Sequence, residues 1–128
     1  MNEVFDSVFE LRVCEALRRS GLMVDTQVPA GRYRVDLAIR DPRDPGRYLL
    51  GLECDGARYH SGARRRLRDL DRQEELERLG WRIHRVWSRD WQAWPHHLLG
   101  GILDLAGRPE LVEPGSAPRV PADPGGST

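Results

Sequence analysis

The sequence predicts an α/β domain, a small mixed sheet held between helices in the order α-β-β-β-α-β-α. Three observations predict it. Residues 5–20 repeat apolar side chains at the helical period, residues 33–40 and 48–55 alternate as strands do, and a second helix and strand follow before a closing helix. With 128 residues the chain is long enough for one domain with a modest core.

In the first helix Phe9, Val13, Ala16 and Leu17 share one side, and Arg12, Glu15, Arg18 and Arg19 take the other. Ser7-Val8-Phe9-Glu10 fits a capping box that starts the helix at Ser7. Gly21 stops it. Residues 23–28 form a candidate strand. Gly31 turns the chain into 33–40, where Val35, Leu37 and Ile39 alternate with Arg34, Asp36 and Ala38. That period sets Asp36 on the face opposite the aliphatics. Asp-Pro-Arg-Asp-Pro-Gly-Arg at 41–47 is a turn by composition. In 48–55, Leu50, Leu52 and Cys54 share one face, and Gly51, Glu53 and Asp55 share the other. Two strands joined by a short turn make a hairpin, so Asp36 and Glu53 are expected on the same side.

Residues 57–62 read as a loop and 63–79 as a second helix ending at Gly80. The amphipathic pattern of that helix is poor. Leu67 and Leu70 lie nearly opposite Leu76 and Leu79, which argues for a later start. Residues 81–88 form the next strand, with Ile83, Val86 and Trp87 within it. Trp94-Pro95 opens a last helix to about residue 106, with proline at a permitted first-turn position. From Gly107 onward the chain is rich in Pro, Gly and Ser and has no periodicity. The domain is therefore expected to span 1–106, and 107–128 to be a disordered tail or linker.

Formal net charge is zero, so overall charge does not argue for a nucleic-acid partner. Its distribution is uneven. Between Gly56 and Arg89 ten arginines face five acids, a moderate basic zone that also fits a solvated helix with paired charges. All twenty basic residues are arginine. Arginine favours planar, bidentate contacts to phosphate and carboxylate, and GC-rich coding yields the same composition. Cys14 and Cys54 have neither metal-type nor disulfide-framework spacing. There is no apolar stretch of 18 residues and no signal peptide, so a soluble, intracellular protein without a membrane partner is expected.

Asp36 and Glu53 each stand among aliphatic side chains. A desolvated carboxylate is costly unless something positive meets it. Hard cations such as Mg²⁺ take oxygen ligands, and one or two carboxylates suffice beside a phosphate substrate. The pair thus reads as a divalent-metal cradle. The plainer alternatives are a salt bridge from Asp36 to Arg34 or Arg58, and an edge-strand charge facing water for Glu53.

Several stretches together resemble the PD-(D/E)XK nuclease superfamily, the restriction-endonuclease-like fold. They are Ser7-Val8-Phe9-Glu10, Tyr33-Arg34-Val35-Asp36-Leu37-Ala38, the block from Leu50 to Ala57 with Tyr59-His60-Ser61, and Leu79 to Ser88 with Asp90-Trp91. Within the superfamily they are similar to the very-short-patch repair endonuclease branch, and there to the C-terminal domain of large bacterial superfamily I helicase-like proteins. The likeness covers roughly residues 5–95. The stretch 64–71 departs from the family's alternation of Arg and Asp, which leaves the register of the second helix open.

The resemblance implies a site. Asp36 and Glu53 become metal ligands, with the Cys54 backbone carbonyl completing the shell and Mg²⁺ or Mn²⁺ as the cofactor. Asp55 stands where the superfamily has lysine, and the chain has no lysine at all. An aspartate cannot stabilise developing negative charge; it can add a metal oxygen or orient His60. The very-short-patch branch tends to lack that lysine and to place a histidine nearby, which makes His60 the candidate general base or leaving-group acid. A lone loop histidine with no role is the alternative. Glu10 has two compatible readings, a capping-box residue and a first-helix glutamate at the edge of the metal site. Tyr59, Arg66, Arg68, Arg72, Gln73 and Arg85 are the candidate DNA contacts, the arginines against i to i+4 pairing with Asp69, Glu75 and Glu77. Trp81, Trp87 and Trp91 read as core and edge packing.

The reading is a metal-dependent DNA endonuclease or nicking domain, cytoplasmic in a bacterium and nucleoid-associated when on DNA. A helicase domain in cis or trans and a second copy of the chain are its expected partners besides DNA. The rival reading is a catalytically silent DNA-binding or docking module. A structural appendage that neither binds nor cuts is the third.

Overall fold

The computed structural model describes residues 7–56, 63–108 and 117–122, with the side chains of 63–66 excluded. Ser7 caps the first helix, α1 (Val8–Arg19), because its Oγ accepts the Glu10 N–H at 3.2 Å. Val13, Cys14, Ala16 and Leu17 form the buried side of α1. Gly21, at φ +93°, ends it in a conformation that favours glycine.

Three antiparallel strands follow, β1 (Val24–Ala30), β2 (Tyr33–Asp41) and β3 (Asp44–Asp55). Next come α2 (Ala63–Arg78), β4 (Ile83–Trp87), a short α3 (Ser88–Ala93) and α4 (Pro95–Ala106). The sheet order is β1-β2-β3-β4, and β4 lies parallel to β3, reached by the α2 crossover. The fold is thus α/β with a mixed four-stranded sheet flanked by helices, consistent with a restriction-endonuclease-like core.

Both faces of the sheet are covered. Val13, Leu17, Ile102 and Ala106 from α1 and α4 pack on Leu37, Ile39, Leu50 and Leu52. On the other side Leu76 of α2 joins Val28, Val35, Ala38, Tyr48 and Trp81. Two-sided cover explains why residues 49–54 of β3 are apolar almost without interruption rather than in strict alternation. The turn Gly31-Arg32 docks on α2: a Cβ at Gly31 would stand 2.5 Å from Glu75 Oε2, and the Arg32 N–H donates to the same oxygen at 2.9 Å.

Four expectations need correction. The turn at 41–47 shrinks to Pro42-Arg43, because β2 runs to Asp41 and β3 begins at Asp44 through two register shifts. The buried Asp41 carboxylate makes this work by accepting from the Arg43 N–H at 2.8 Å and from the Arg47 guanidinium at 2.8 and 2.9 Å. The second helix does not start late. It begins at Ala63, and Leu67 and Leu70 are simply exposed while Leu76 is buried. The strand expected to reach residue 88 stops at Trp87, since β3 offers no partner beyond Asp55, and an unforeseen helix, α3, follows. Finally, part of the expected tail is ordered against β3: Tyr48 N–H donates to Pro118 O at 2.8 Å, Val120 N–H donates to Gly46 O at 2.9 Å, and Ala117 is buried. Among the described residues no helix is long and apolar enough to cross a membrane.

Candidate active site

The register Leu37↔Leu52 continues one step to set Asp36 across from Glu53, at the start of β2 and the end of β3. The hairpin therefore brings the two acids to one end of the sheet. Each is held differently. Asp36 Oδ2 accepts the Cys54 N–H at 2.8 Å, and Oδ1 accepts from Gln27 Nε2 at 3.4 Å. Glu53 is only 6% exposed and receives the Arg72 guanidinium from α2, which also donates to Arg34 O at 2.7 Å. Burial, and then the neighbouring Asp36, push the Glu53 carboxyl up to about 8, although Arg72 pulls it the other way.

Glu10 approaches from the first turn of α1. It is 2% exposed and accepts from Gln27 Nε2 at 3.2 and 3.3 Å on its two oxygens. The Ser7 cap accounts for where α1 begins, and the same turn delivers the Glu10 carboxylate to the site. Asp55, the last residue of β3, pairs with Arg85 Nε of β4 at 2.8 Å, and Arg85 also lies over the Trp87 ring at 5.6 Å. Burial and the Asp36 carboxylate raise the Cys54 thiol, so it stays protonated, consistent with a side chain packed on the core while its backbone serves the site.

Glu53, Arg72, Gln73 and Arg85 line a cleft of about 260 Å³ between α2, β3 and β4, with Asp69 and Glu77 at its side. Gln73 is turned along its helix to Glu77 Oε1 at 3.0 Å. Arg68 is exposed. Tyr59 and His60 lie outside the described residues, as does the Arg66 side chain. Trp81 is buried and stacks on Tyr48 with ring centroids 5.1 Å apart, and Trp91 packs on the core.

The sequence reading missed Gln27. Asp25 and Thr26 beside it in the strand are polar as well, and the strand period alone gives Gln27 no partner. Arg34, set aside as a salt-bridge partner for Asp36, instead donates to Gln27 O at 3.2 Å.

Among the described residues no cluster of three or more His, Cys, Asp or Glu stands as a ready-made metal cage. The donor set nonetheless fits a hard divalent cation. It consists of two facing carboxylates, whose donors are all oxygens, and Mg²⁺ is held by one or two carboxylates rather than by all-protein cages. Burial first, and then Asp36, hold the Glu53 carboxyl up against the pull of Arg72, so bringing both acids to their charged form calls for further positive charge.

A search of curated proteins found no match, and neither did a search of solved structures. A scan against protein-family models matched residues 9–104, from α1 to α4, to REase_MTES_1575, a restriction-endonuclease-like family whose name points to a nuclease domain. With that span covering most of the chain and all four carboxylates described above, the protein belongs to the restriction-endonuclease-like family REase_MTES_1575.

Proposed function

We propose that this protein is a metal-dependent DNA endonuclease or nicking domain. The observation that carries the proposal is the Asp36–Glu53 pair, with Glu53 buried and its carboxyl pushed up to about 8 by burial and by Asp36. Asp36, Glu53 and the Cys54 carbonyl are the groups that hold Mg²⁺ or Mn²⁺. Bound there, the ion supplies Lewis acidity toward a phosphodiester and acidifies a water molecule. Arg72 and Arg85 line the cleft and are the proposed phosphate contacts there, and Arg68 and Arg66, earlier in the sequence of α2, are proposed further ones. Gln73 joins the arginines as a phosphate contact, and Tyr59 stacks on a nucleotide. His60 moves the proton at the attacking water or the leaving oxygen, a role supported by its near-neutral ordinary pKa and by the absence of lysine. Asp55 is held by Arg85.

Resemblance to the very-short-patch branch and to helicase-attached domains supports work in repair, restriction or helicase-coupled processing. One active site per chain makes a nick, and a homodimer makes a double-strand cut.

The test is a supercoiled-plasmid nicking assay in Mg²⁺, Mn²⁺ and EDTA with wild type, Asp36→Ala and Glu53→Ala. Metal-dependent nicking that both variants lose is the expected result. Nicking that survives in Asp36→Ala overturns the assignment. A second reading, a silent DNA-binding or docking module, draws on the Arg72–Glu53 and Arg85–Asp55 ion pairs, which already occupy two of the acids. It predicts a salt-sensitive gel shift and no product in any metal.

A further inference from the structure

We infer that Gln27 is a positioning residue, one that orients the Asp36 carboxylate for the cation and ties it to Glu10; the inference rests on the reading of Asp36 as a metal ligand.

Gln27 is the single non-glycine residue at positive φ among the described residues, at +49°. It is also 4% exposed, within a strand. The left-handed region disfavours any residue with a Cβ, and such outliers persist where the surroundings over-determine them. The β1–β2 ladder pairs Thr26↔Leu37 and Val28↔Val35 and skips Gln27, the residue across from Asp36. Arg34 Nη1 takes the Gln27 carbonyl at 3.2 Å in place of a ladder partner.

The kink delivers the Gln27 amide to two carboxylates. Nε2 stands 3.2 and 3.3 Å from the Glu10 oxygens and 3.4 Å from Asp36 Oδ1. An amide NH₂ has two N–H donors, which is one for each acid. Asp36 is then gripped at both oxygens, by Gln27 at Oδ1 and by the Cys54 N–H at Oδ2. Each carboxylate oxygen retains a second lone pair for a cation. The chemistry of the side chain matters. An arginine or lysine in this place would neutralise the acids and repel a divalent ion, and a glutamate would add a third charge. A neutral amide orients both carboxylates and leaves their charge intact. At 3.2, 3.3 and 3.4 Å these hydrogen bonds lie at and just beyond the long end of the usual range and are weak. Their loss is therefore read in metal affinity rather than in folding.

The experiment is Mn²⁺ titration of the metal-stripped full chain by calorimetry, with thermal melting alongside, for wild type, Gln27→Gly and Gln27→Asn. Glycine adopts the required φ without strain but has no amide. Gln27→Gly is expected to melt near the wild-type temperature and to bind Mn²⁺ about tenfold or more weakly, the usual cost of losing a group that orients a ligand. A folded Gln27→Gly with wild-type Mn²⁺ affinity overturns the inference. Should the glycine variant not fold, Gln27→Asn decides: asparagine tolerates positive φ but is one methylene too short to span both acids. A folded asparagine variant with unchanged affinity overturns it equally, and weakened affinity supports it. A wild-type chain that neither binds Mn²⁺ nor nicks DNA overturns the nuclease reading itself, an outcome separate from any difference between the Gln27 variants.

Discussion

Replacing Glu53 with glutamine should stabilise the metal-free protein at alkaline pH and do nothing for it in mild acid. Glu53 is lifted from its ordinary 4.5 to about 8, by burial first and Asp36 second. The gap corresponds to about 5 kcal/mol at ~1.36 kcal/mol per pH unit. The sign follows from proton counts. Between those two values the native state keeps a proton that the unfolded chain has released, so stability falls as pH rises through the window. Below it both states are protonated and no penalty exists; above it both are ionised and the full penalty stands. Glutamine mimics the protonated acid and escapes the penalty. It leaves Arg72 with a neutral partner, as the protonated acid does, and the attraction lost there is already contained in the shift. The net expectation is a variant about 5 kcal/mol more stable than wild type near pH 9 and no more stable than wild type near pH 4.5. Urea unfolding followed by the fluorescence of the four tryptophans, in EDTA at several pH values, reads this directly. Saturating Mg²⁺ should then stabilise wild type and leave Glu53→Gln unmoved, since an ion that binds only the native state shifts the balance toward it. A difference between the two proteins that does not change with pH would refute the electrostatic account of the site.

Two further substitutions probe the frame and the cation. Gly51→Ala places a Cβ at 2.8 Å from Ile83 Cδ1, 2.9 Å from Val35 Cγ1 and 3.0 Å from Trp81 Cε3. This overpacking should cost about 1–3 kcal/mol and lower the melting temperature, and a variant as stable as wild type would show that the contact between β3, β4 and the β2 side chains yields freely. Arg72→Met removes the guanidinium that bridges Glu53 and Arg34 O. Plasmid nicking should fall by about a hundredfold, the scale seen when one donor to developing charge is lost; nicking at wild-type rate would confine Arg72 to a structural role.

The apolar runs made β2 and β3 legible as strands, although cover on both faces blurs their period of two. The hairpin then put Asp36 beside Glu53 without further information. Helix α1 was equally readable, its start marked by Ser7 and its end by Gly21. Three things were not. Asp41 reads as a turn residue because its role depends on Arg47, six positions later and meaningful only once the strands pair. Leu67 and Leu70 confuse the helical pattern since burial, which separates them from Leu76, is a tertiary property. Gln27 was invisible as a site residue because its function comes from a backbone conformation that glutamine has no intrinsic tendency to adopt.

The charges at the end of the sheet do not balance for stability alone. Asp36 and Glu53 face each other, and one guanidinium, that of Arg72, reaches Glu53. Asp55 is served by Arg85 on the far side of β3, and Gln27 brings no charge to Asp36 or Glu10. Were Arg72 a sufficient partner, the Glu53 carboxyl would lie below 4.5; it lies near 8 because burial and Asp36 outweigh the ion pair. A glutamine at position 53 would relieve that conflict with the same shape. Proteins keep such local strain where binding uses it. Under the proposed function, the positive charge that answers both acids at once would be a small divalent cation, which takes their oxygens as ligands as no arginine side chain can.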